Sequence, residues 1–331
     1  MYLALPNKVT MKLNRLFFIL PFLIGVLLSC DNDDDGGSAG VELRDPEEVK
    51  VENTAEIEAF LNTHFFEFVD NPLHPNFQEF VFDTIAGENS DKEPIIDSEF
   101  LRDTTIIQQN VEYKLYYLLN REGNPDERSP KFADSTFVTY KGITIENEVF
   151  DSAPNQLWLD LTTTVRGFTE LLPKLRGSSG FVENDDGTLT YNDDFGIGVV
   201  FIPSGLGYFA APPPSTPILR YQPIIFAVQL YQSKESDHDR DGVPSYLEDV
   251  TGDGRVNELN DEGLPLDDTD ENGIANFRDR DDDGDGVFTI NEILIDENGK
   301  LFFLYSGEVL ENPSEEDVPD HLNPDYPGDE A

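Results

Sequence analysis

The sequence predicts an α+β fold for the central part of this 331-residue chain. Between residues 137 and 230, strand-like segments alternate with turns and flank a single helical segment. Four apolar residues of that segment follow relative spacings of 0, 3, 4 and 7: Phe168, Leu171, Leu172 and Leu175. This spacing places them on one face of a short helix. A small N-terminal helical region precedes the central part, and an acidic repeat tail follows it.

The composition excludes several classes of function. The formal net charge is −45, from 67 acidic and 22 basic side chains. This charge disfavours nucleic acid as a partner, because the phosphate backbone would be repelled. The single cysteine, Cys30, excludes an internal disulfide and a cysteine-based zinc site, and the four histidines are scattered.

The N-terminus has the pattern of an export signal. Lys12 and Arg15 precede a 13-residue apolar run at 16–28, which is shorter than the roughly 20 residues of a spanning helix. The run ends at Leu27-Leu28-Ser29-Cys30, which resembles a bacterial lipobox. The resemblance implies a signal peptide at 1–30, lipidation of Cys30, and an anchor in the cell envelope, in the outer membrane. The alternative is an uncleaved membrane anchor with an incidental cysteine.

Residues 31–52 are predicted to form a flexible acidic tether. The run Asp31-Asn-Asp-Asp-Asp35 is similar to surface-export signals of Bacteroidetes-type lipoproteins, and a plain solvated spacer is the alternative. Residues 53–110 are predicted as a helix and strand region. A helix is expected over Asn53 to Phe68, with Asn53 and Glu56 as a cap pair, and short strands near 80–82 and 106–107. This region is either a small prodomain-like module or a helix that packs on the main domain.

Residues 111–232 are predicted to form the main domain. Strands are expected at 111–120, at 136–145 and from Val149, and the helix follows Val165. Pro173 predicts that this helix is short. The polar stretch 178–195 is expected to be an inserted hairpin or loop.

Three short motifs in this domain carry a family resemblance. They are Val149-Phe-Asp-Ser152, Val165-Arg-Gly-Phe168 and Phe201-Ile-Pro-Ser204. In this order and spacing, the domain resembles the FKBP-type peptidyl-prolyl isomerases. The resemblance implies an antiparallel sheet wrapped around one short helix. It also implies prolyl cis-trans isomerase activity without a cofactor for catalysis.

The resemblance also implies a set of pocket residues. They are Tyr140, Phe150, Asp151, Val165, Phe168, Tyr208, Ile218 and Phe226. Thr164 matches the residue before Val165, and Trp158 or Leu159 matches a further aromatic position. The sequence departs from the family where Phe168 replaces a usual Trp, where Phe209 replaces a usual Gly, and in the proline-rich segment 211–217. Plain core packing is the alternative role for each aromatic residue.

An aromatic pocket suits prolyl isomerisation on physical grounds. Rotation about an X-Pro bond breaks amide resonance, with a barrier of about 18–20 kcal/mol. A dry apolar cleft disfavours the more polar planar amide, and one or two hydrogen-bond donors can favour the twisted form. Such a site needs neither a nucleophile nor a metal.

The acidic tail at 233–298 contains 22 acidic and 5 basic residues and repeats a calcium-loop pattern. We name its three copies loop 1 (237–248), loop 2 (268–279) and loop 3 (281–292); residues 249–254 form a degenerate copy. The predicted ligands are Asp237, Asp239, Asp241 and Glu248 in loop 1, Asp268, Asp270, Asn272 and Asp279 in loop 2, and Asp281, Asp283, Asp285 and Glu292 in loop 3. The repeats look like thrombospondin type 3 repeats without their cysteines, which implies structural Ca2+. A disordered acidic stalk is the alternative. Residues 299–331 are predicted to contain a short strand and a disordered acidic end.

The leading hypothesis is a lipid-anchored prolyl isomerase that acts as a monomer on proline-containing exported proteins, with a calcium-ordered tail. One alternative is a binding module that keeps the fold without catalysis. Another is a calcium-dependent structural lipoprotein.

Overall fold

The structure is a computed structural model that describes residues 43–70, 78–260, 262–314 and 317–325. The predicted signal peptide, its lipidation site Cys30 and the first part of the tether lie outside the described residues. In the part of the chain that the structure describes, no helix combines the length and the apolar character that crossing a membrane requires.

The described elements are two α-helices and twelve strands. In chain order they are α1 (Pro46–Thr63), β1 (His64–Asp70), β2 (Gln78–Thr84), β3 (Leu101–Gln108), β4 (Val111–Arg121), β5 (Ser135–Thr144), β6 (Val149–Asp160), α2 (Arg166–Leu171), β7 (Phe181–Glu183), β8 (Leu189–Tyr191), β9 (Gly196–Ile202), β10 (Ile224–Lys234), β11 (Ile293–Ile295) and β12 (Leu301–Phe303).

Six of these strands form one antiparallel sheet in the order β3-β4-β9-β10-β5-β6. The predicted antiparallel sheet with few helices is therefore confirmed. β3 belongs to this sheet, so the sheet extends across the domain boundary that the sequence predicts at residue 110. The predicted hairpin at 178–195 is formed by β7 and β8.

Both faces of the sheet are buried. Because side chains alternate along a strand, Phe226 and Val228 of β10 face α2, while Ile225 and Ala227 face α1 and the β1–β2 hairpin. Every residue of the central strand β9 is buried. The sheet is thus the middle layer of the domain, and the two helices lie on opposite sides of it.

The helix α2 is short, as Pro173 predicts. It ends at Leu171 and continues as one turn of 3-10 helix over Leu172–Lys174. Its apolar face is buried against the sheet. Gly167 allows the close approach, because a Cβ at that position would lie 2.5 Å from Ile202.

The predicted helix at 53–68 was placed too late in the chain. α1 begins at Pro46, where Asp45 caps it by accepting a hydrogen bond from the amide of Glu47. It ends at Thr63, and residues 64–70 form a strand instead. Asn53, the expected cap, lies inside the helix and is buried.

The acidic tail has little regular structure. Each of the three loops ends in one turn of 3-10 helix that starts eight residues after its first Asp, at Ser245, Asn276 and Thr289. Phe277 and Val256 of the tail are buried with Ala133, which precedes β5. This small apolar contact attaches the tail to the sheet domain.

The chain end differs from the predicted disorder. Beyond the strand β12, Asp320 and His321 are buried. The carboxylate of Asp320 accepts hydrogen bonds from the amides of Ser306 and Gly307, and the His321 ring stacks on Phe303 at 4.8 Å. The composition of this segment did not predict these contacts, because they join residues that are not neighbours in the chain.

Candidate functional site

Aromatic rings from four elements, including the short helix α2, pack together. The ring of Phe226 in β10 is 5.2 Å from that of Phe168 in α2 and 5.9 Å from that of Tyr140 in β5. Both pairs are edge-to-face, the arrangement that aromatic quadrupoles favour. The ring of Phe150 in β6 packs edge-on against Phe226 at 5.2 Å. The rings of Tyr140, Phe168 and Phe226 form the base of a cleft, and Phe150 packs behind them.

The cleft has a volume of about 210 Å³. Its lining residues are Tyr140, Asp151, Leu159, Thr163, Thr164, Val165, Phe168, Tyr208 and Phe226. Six of the eight pocket residues that the resemblance implies therefore meet at one cleft. The other two, Phe150 and Ile218, pack in the core behind the lining instead.

Of the two alternatives Trp158 and Leu159 in β6, Leu159 lines the cleft. Successive residues of a strand face opposite sides of the sheet, so Leu159 faces the cleft and Trp158 does not. Trp158 is 48% exposed and packs against Phe137. Thr163 also lines the cleft and was missed by the sequence analysis, although its position two residues before Val165 was a usable signal.

One hydrogen bond organises the polar side of the cleft. The Tyr140 hydroxyl donates to the Asp151 carboxylate over 2.8 Å. Burial, followed by this bond to Asp151, raises the pKa of Tyr140. Burial and the nearby Asp151 charge also raise the pKa of Tyr208. Both phenols are therefore neutral hydrogen-bond donors at physiological pH.

The segment 163–165, which we call the cleft rim, follows a turn that Asp160 caps. The Asp160 carboxylate accepts from the amide and the hydroxyl of Thr162. Val165 then precedes α2, and its carbonyl accepts from the amide of Phe168. In the described part of the chain, the Val165 amide has no intramolecular hydrogen-bond partner. It is thus available to a bound carbonyl group.

The loop after β9 forms another wall of the cleft and holds Phe209 in an unusual backbone conformation. Phe209 has a φ of +45°, in the left-handed region that favours glycine. Its amide donates to the Ser204 carbonyl, its carbonyl accepts from the amide of Tyr221, and its ring packs edge-on against Tyr221 at 4.9 Å. These contacts hold a backbone conformation that is costly for a bulky residue.

The acidic loops form a second candidate site. In loops 1 and 3, each Asp at positions three and five accepts a backbone hydrogen bond with one oxygen. The other oxygens have no hydrogen-bond partner, nor does either oxygen of Glu248 or of Glu292. Unpartnered buried carboxylate oxygens are costly unless a cation binds them. An all-oxygen donor set suits a hard cation such as Ca2+.

The three loops differ in how closely their predicted ligands approach one another and in whether the carboxylate oxygens already accept hydrogen bonds. The carboxylates of Asp281, Asp283 and Asp285 in loop 3 lie within 4.8 Å of one another. In loop 2, the Asn272 side chain donates to the carboxylates of Asp270 and Asp279, so these oxygens already have a partner. In loop 1, both oxygens of Asp237 accept backbone hydrogen bonds, from Arg240 and Gly242.

A buried group of carboxylates in loop 1 includes a residue that the sequence analysis did not select. We call Asp239, Asp241, Glu248 and Asp282 the shared cluster; their ligand atoms lie within 4.8 Å of one another. Asp282 comes from loop 3. Burial, followed by the neighbouring Asp charges, raises the pKa of Glu248 to about 10 and that of Asp282 to about 9. Such shifts are typical of carboxyl groups that are buried close to like charges.

The family comparison concerns the tail. A family model described as BamM C-terminal matches residues 238–322, which is less than half of the chain. The match covers the acidic loops and the buried chain end. No curated protein matches the chain.

Solved structures resemble part of the chain. FkpA from Escherichia coli has 22% identity and a TM-score of 0.32, over 42% of this chain and 53% of FkpA. A peptidyl-prolyl cis-trans isomerase from Pseudomonas syringae has 15% identity and a TM-score of 0.31, over 42% and 84%. The N-terminal domain of FKBP42 from Arabidopsis thaliana has 13% identity and a TM-score of 0.29, over 40% and 94%. The chain thus spans about half the length of FkpA.

Proposed function

We propose that this chain is an FKBP-type peptidyl-prolyl cis-trans isomerase. The observation that carries the proposal is the cleft, where aromatic rings from β5, α2 and β10 surround the Tyr140–Asp151 hydrogen bond. This is the kind of surface that the chemistry needs, because a proline ring and its amide can be removed from water there.

The cleft residues would lower the rotation barrier by the surroundings that they provide for the amide, without forming a covalent bond to it. Phe168 and Phe226 would hold the proline ring and exclude water, which disfavours the planar amide. The free Val165 amide would donate to a peptide carbonyl and fix the position of the chain. Tyr140 would hold the Asp151 carboxylate at the edge of the cleft, beside the carbonyl of the rotating bond.

A protease-coupled assay on a proline tetrapeptide tests the proposal. We expect the purified protein to accelerate isomerisation, and we expect Asp151→Leu and Phe150→Ala to lower kcat/KM. For Tyr140→Phe, loss of one hydrogen bond to a charged group predicts a decrease of about tenfold or more. Trp158→Ala is the matched control, because it removes an aromatic residue of β6 outside the cleft. A folded but inactive wild type would contradict the enzyme proposal and favour a non-catalytic binding module.

We further propose that loops 1–3 bind Ca2+ with a structural role. The support is the group of buried carboxylate oxygens that lack partners in loops 1 and 3. Each Ca2+ would take six to eight oxygens and offset the local negative charge. We expect added Ca2+ to increase the protease resistance of residues 233–298 and to change the circular dichroism. No change in either would refute this part.

We also propose that lipidation of Cys30 anchors the protein in the cell envelope, in the outer membrane, where it acts on proline-containing exported proteins. The support is the lipobox-like sequence at the end of the apolar run. Metabolic labelling with a radioactive fatty acid should mark the wild type and not Cys30→Ser. Equal labelling of both would contradict the anchor.

A further inference from the structure

The shared cluster lies between loops 1 and 3 and lacks a counter-charge. Glu248 is 2% exposed and Asp282 is 1% exposed, and none of their four carboxylate oxygens has a hydrogen-bond partner. Among the described residues, no Lys or Arg side chain forms an ion pair with the four carboxylates. Burying four carboxylates together is costly, and a bound cation would offset that cost.

The contribution of Asp282 is specific to the three-dimensional structure. Asp282 is the second residue of loop 3, and the calcium-loop pattern does not use that position as a ligand. Its backbone amide donates to the Thr289 hydroxyl within loop 3, while its carboxylate reaches the ligands of loop 1. The Arg280 side chain also donates to the Asp239 carbonyl, so the backbone of loop 1 is bonded to the chain just before loop 3.

A hydrogen-bonded path leads from loop 1 to the cleft rim. His238 lies between the predicted ligands Asp237 and Asp239, and its Nε2 lies 3.1 Å from a carboxylate oxygen of Asp160. Its Nδ1 lies 2.8 Å from the Ser245 hydroxyl, within the same loop. The other oxygen of Asp160 caps the turn that leads into the cleft rim.

Two further contacts connect the tail to this segment. The Asn257 side chain donates to the Thr162 carbonyl. The Arg166 guanidinium donates to the carbonyls of Asp253 and Gly254 and forms an ion pair with Glu170. The residues on both sides of the cleft rim are therefore bonded to the acidic tail.

We propose that the shared cluster is a divalent-cation site that joins loops 1 and 3 and, through His238 and Asp160, fixes the cleft rim. The cation site stands on its own geometry. Its effect on proline substrates rests on the proposed function. In this arrangement the ion touches no substrate, and His238 is a positioning residue. The all-oxygen ligand set selects Ca2+ as the cation to test first, with Mg2+ as the comparison.

Calcium titration by calorimetry tests the site, with Asp282→Asn as the variant. We expect it to lose one bound ion or to weaken one site by at least about tenfold. The variant should also melt higher than the wild type in chelator and lower in Ca2+, because it removes one of four clustered acidic groups in one case and a ligand in the other. Glu297→Gln, which makes the same charge change at an exposed position, should match the wild type in both. Unchanged calcium binding in Asp282→Asn would overturn the site.

The amide NMR signals of Thr163, Thr164 and Val165 test the coupling without any activity measurement. We expect Ca2+ to shift these signals in the wild type. His238→Phe keeps the packing of a ring on Phe277 but removes the bond to Asp160, so it should bind Ca2+ normally and lose the rim shifts. If these amide signals did not shift on addition of Ca2+ to the wild type, the proposed coupling between the shared cluster and the cleft rim would be wrong. If the rim responds and the protein still does not isomerise a proline peptide, the proposed enzymatic function fails while this inference stands.

Discussion

The side-chain oxygen of Asn53 accepts two hydrogen bonds from Ser204, one from its amide at 2.8 Å and one from its hydroxyl at 2.6 Å. The side-chain nitrogen of Asn53 donates to the Tyr221 carbonyl at 2.8 Å. Ser204 and Tyr221 flank the loop that carries Tyr208, a cleft residue. The helix α1 therefore supports a wall of the cleft from the opposite face of the sheet.

Replacing Asn53 should lower the stability of the domain. Asn53→Ala leaves the buried donors of Ser204 without their partner, which costs about 1–3 kcal/mol. Urea unfolding measures the loss. Asn62→Ala is the matched control, since Asn62 lies on the exposed side of the same helix and its side chain donates to the Glu58 carbonyl; it should stay within about 0.5 kcal/mol of the wild type. Equal stability of both variants would contradict the role of Asn53.

Adding one methyl group at Gly142 should displace the base of the cleft. A Cβ there would lie 2.6 Å from a ring carbon of Phe150 and 2.8 Å from one of Phe226. Because both rings must shift, Gly142→Ala should destabilise the protein by about 1–3 kcal/mol and reduce binding of proline peptides. In Gly180→Ala the nearest atom is 3.6 Å from the new Cβ, so this variant is the control. A Gly142→Ala protein with wild-type melting temperature and peptide binding would argue against this packing.

The chain end should loosen in mild acid. Burial lowers the pKa of His321 to about 4 from an ordinary value of 6.5. The unfolded segment therefore binds more protons between these values, so stability is present above pH 6.5 and is lost as the pH falls towards 4. Across this window the loss attributable to His321 is roughly 3 kcal/mol. Amide hydrogen exchange of residues 320–323 reports it, and His321→Phe, which keeps the stacking on Phe303, should lack this pH dependence. If the wild type and His321→Phe showed the same pH dependence of exchange, a group other than His321 would be responsible and this prediction would be wrong.

The acidic tail should respond to pH in opposite directions with and without Ca2+. Without the ion, burial holds the pKa of Glu248 at about 10 and that of Asp282 at about 9, so the folded tail binds more protons than the unfolded one. Its stability in chelator should fall as the pH rises from 5 to 8. With excess Ca2+ the stability should rise over the same range, because cation binding requires deprotonated ligands. Protease resistance of residues 233–298 measures both trends, and parallel trends would contradict the carboxylate cluster.

Local pattern predicted the elements whose side chains repeat with a clear period, such as the helical face of α2 and the strands of the sheet. It placed α1 too late, because Phe65 and Phe68 continue the helical spacing although they lie in β1. The signals at Asp45 and Pro46, which set the true start, are local and could have been used.

Most of the cleft residues could be predicted, because a family resemblance indicates where in the fold a residue lies as well as which residue type to expect there. The position of Asp282 could not, since a carboxylate that reaches the residues of another loop leaves no trace in the spacing of its own loop. The departure at Phe209 was visible in sequence, but its meaning depends on a backbone angle. The two hydrogen bonds that Ser204 donates to Asn53 join residues 151 positions apart, so no periodic pattern in the sequence predicts them.

The most direct test of the central claim is two-dimensional NMR exchange on a proline peptide with a substoichiometric amount of the protein. We expect exchange cross-peaks between the cis and trans forms with the wild type, together with shifts at the amides of Tyr140, Val165 and Phe226. Asp151→Leu should lose most of the exchange while remaining folded. Absence of exchange with a folded wild type, or full exchange in Asp151→Leu, would contradict catalysis at this cleft.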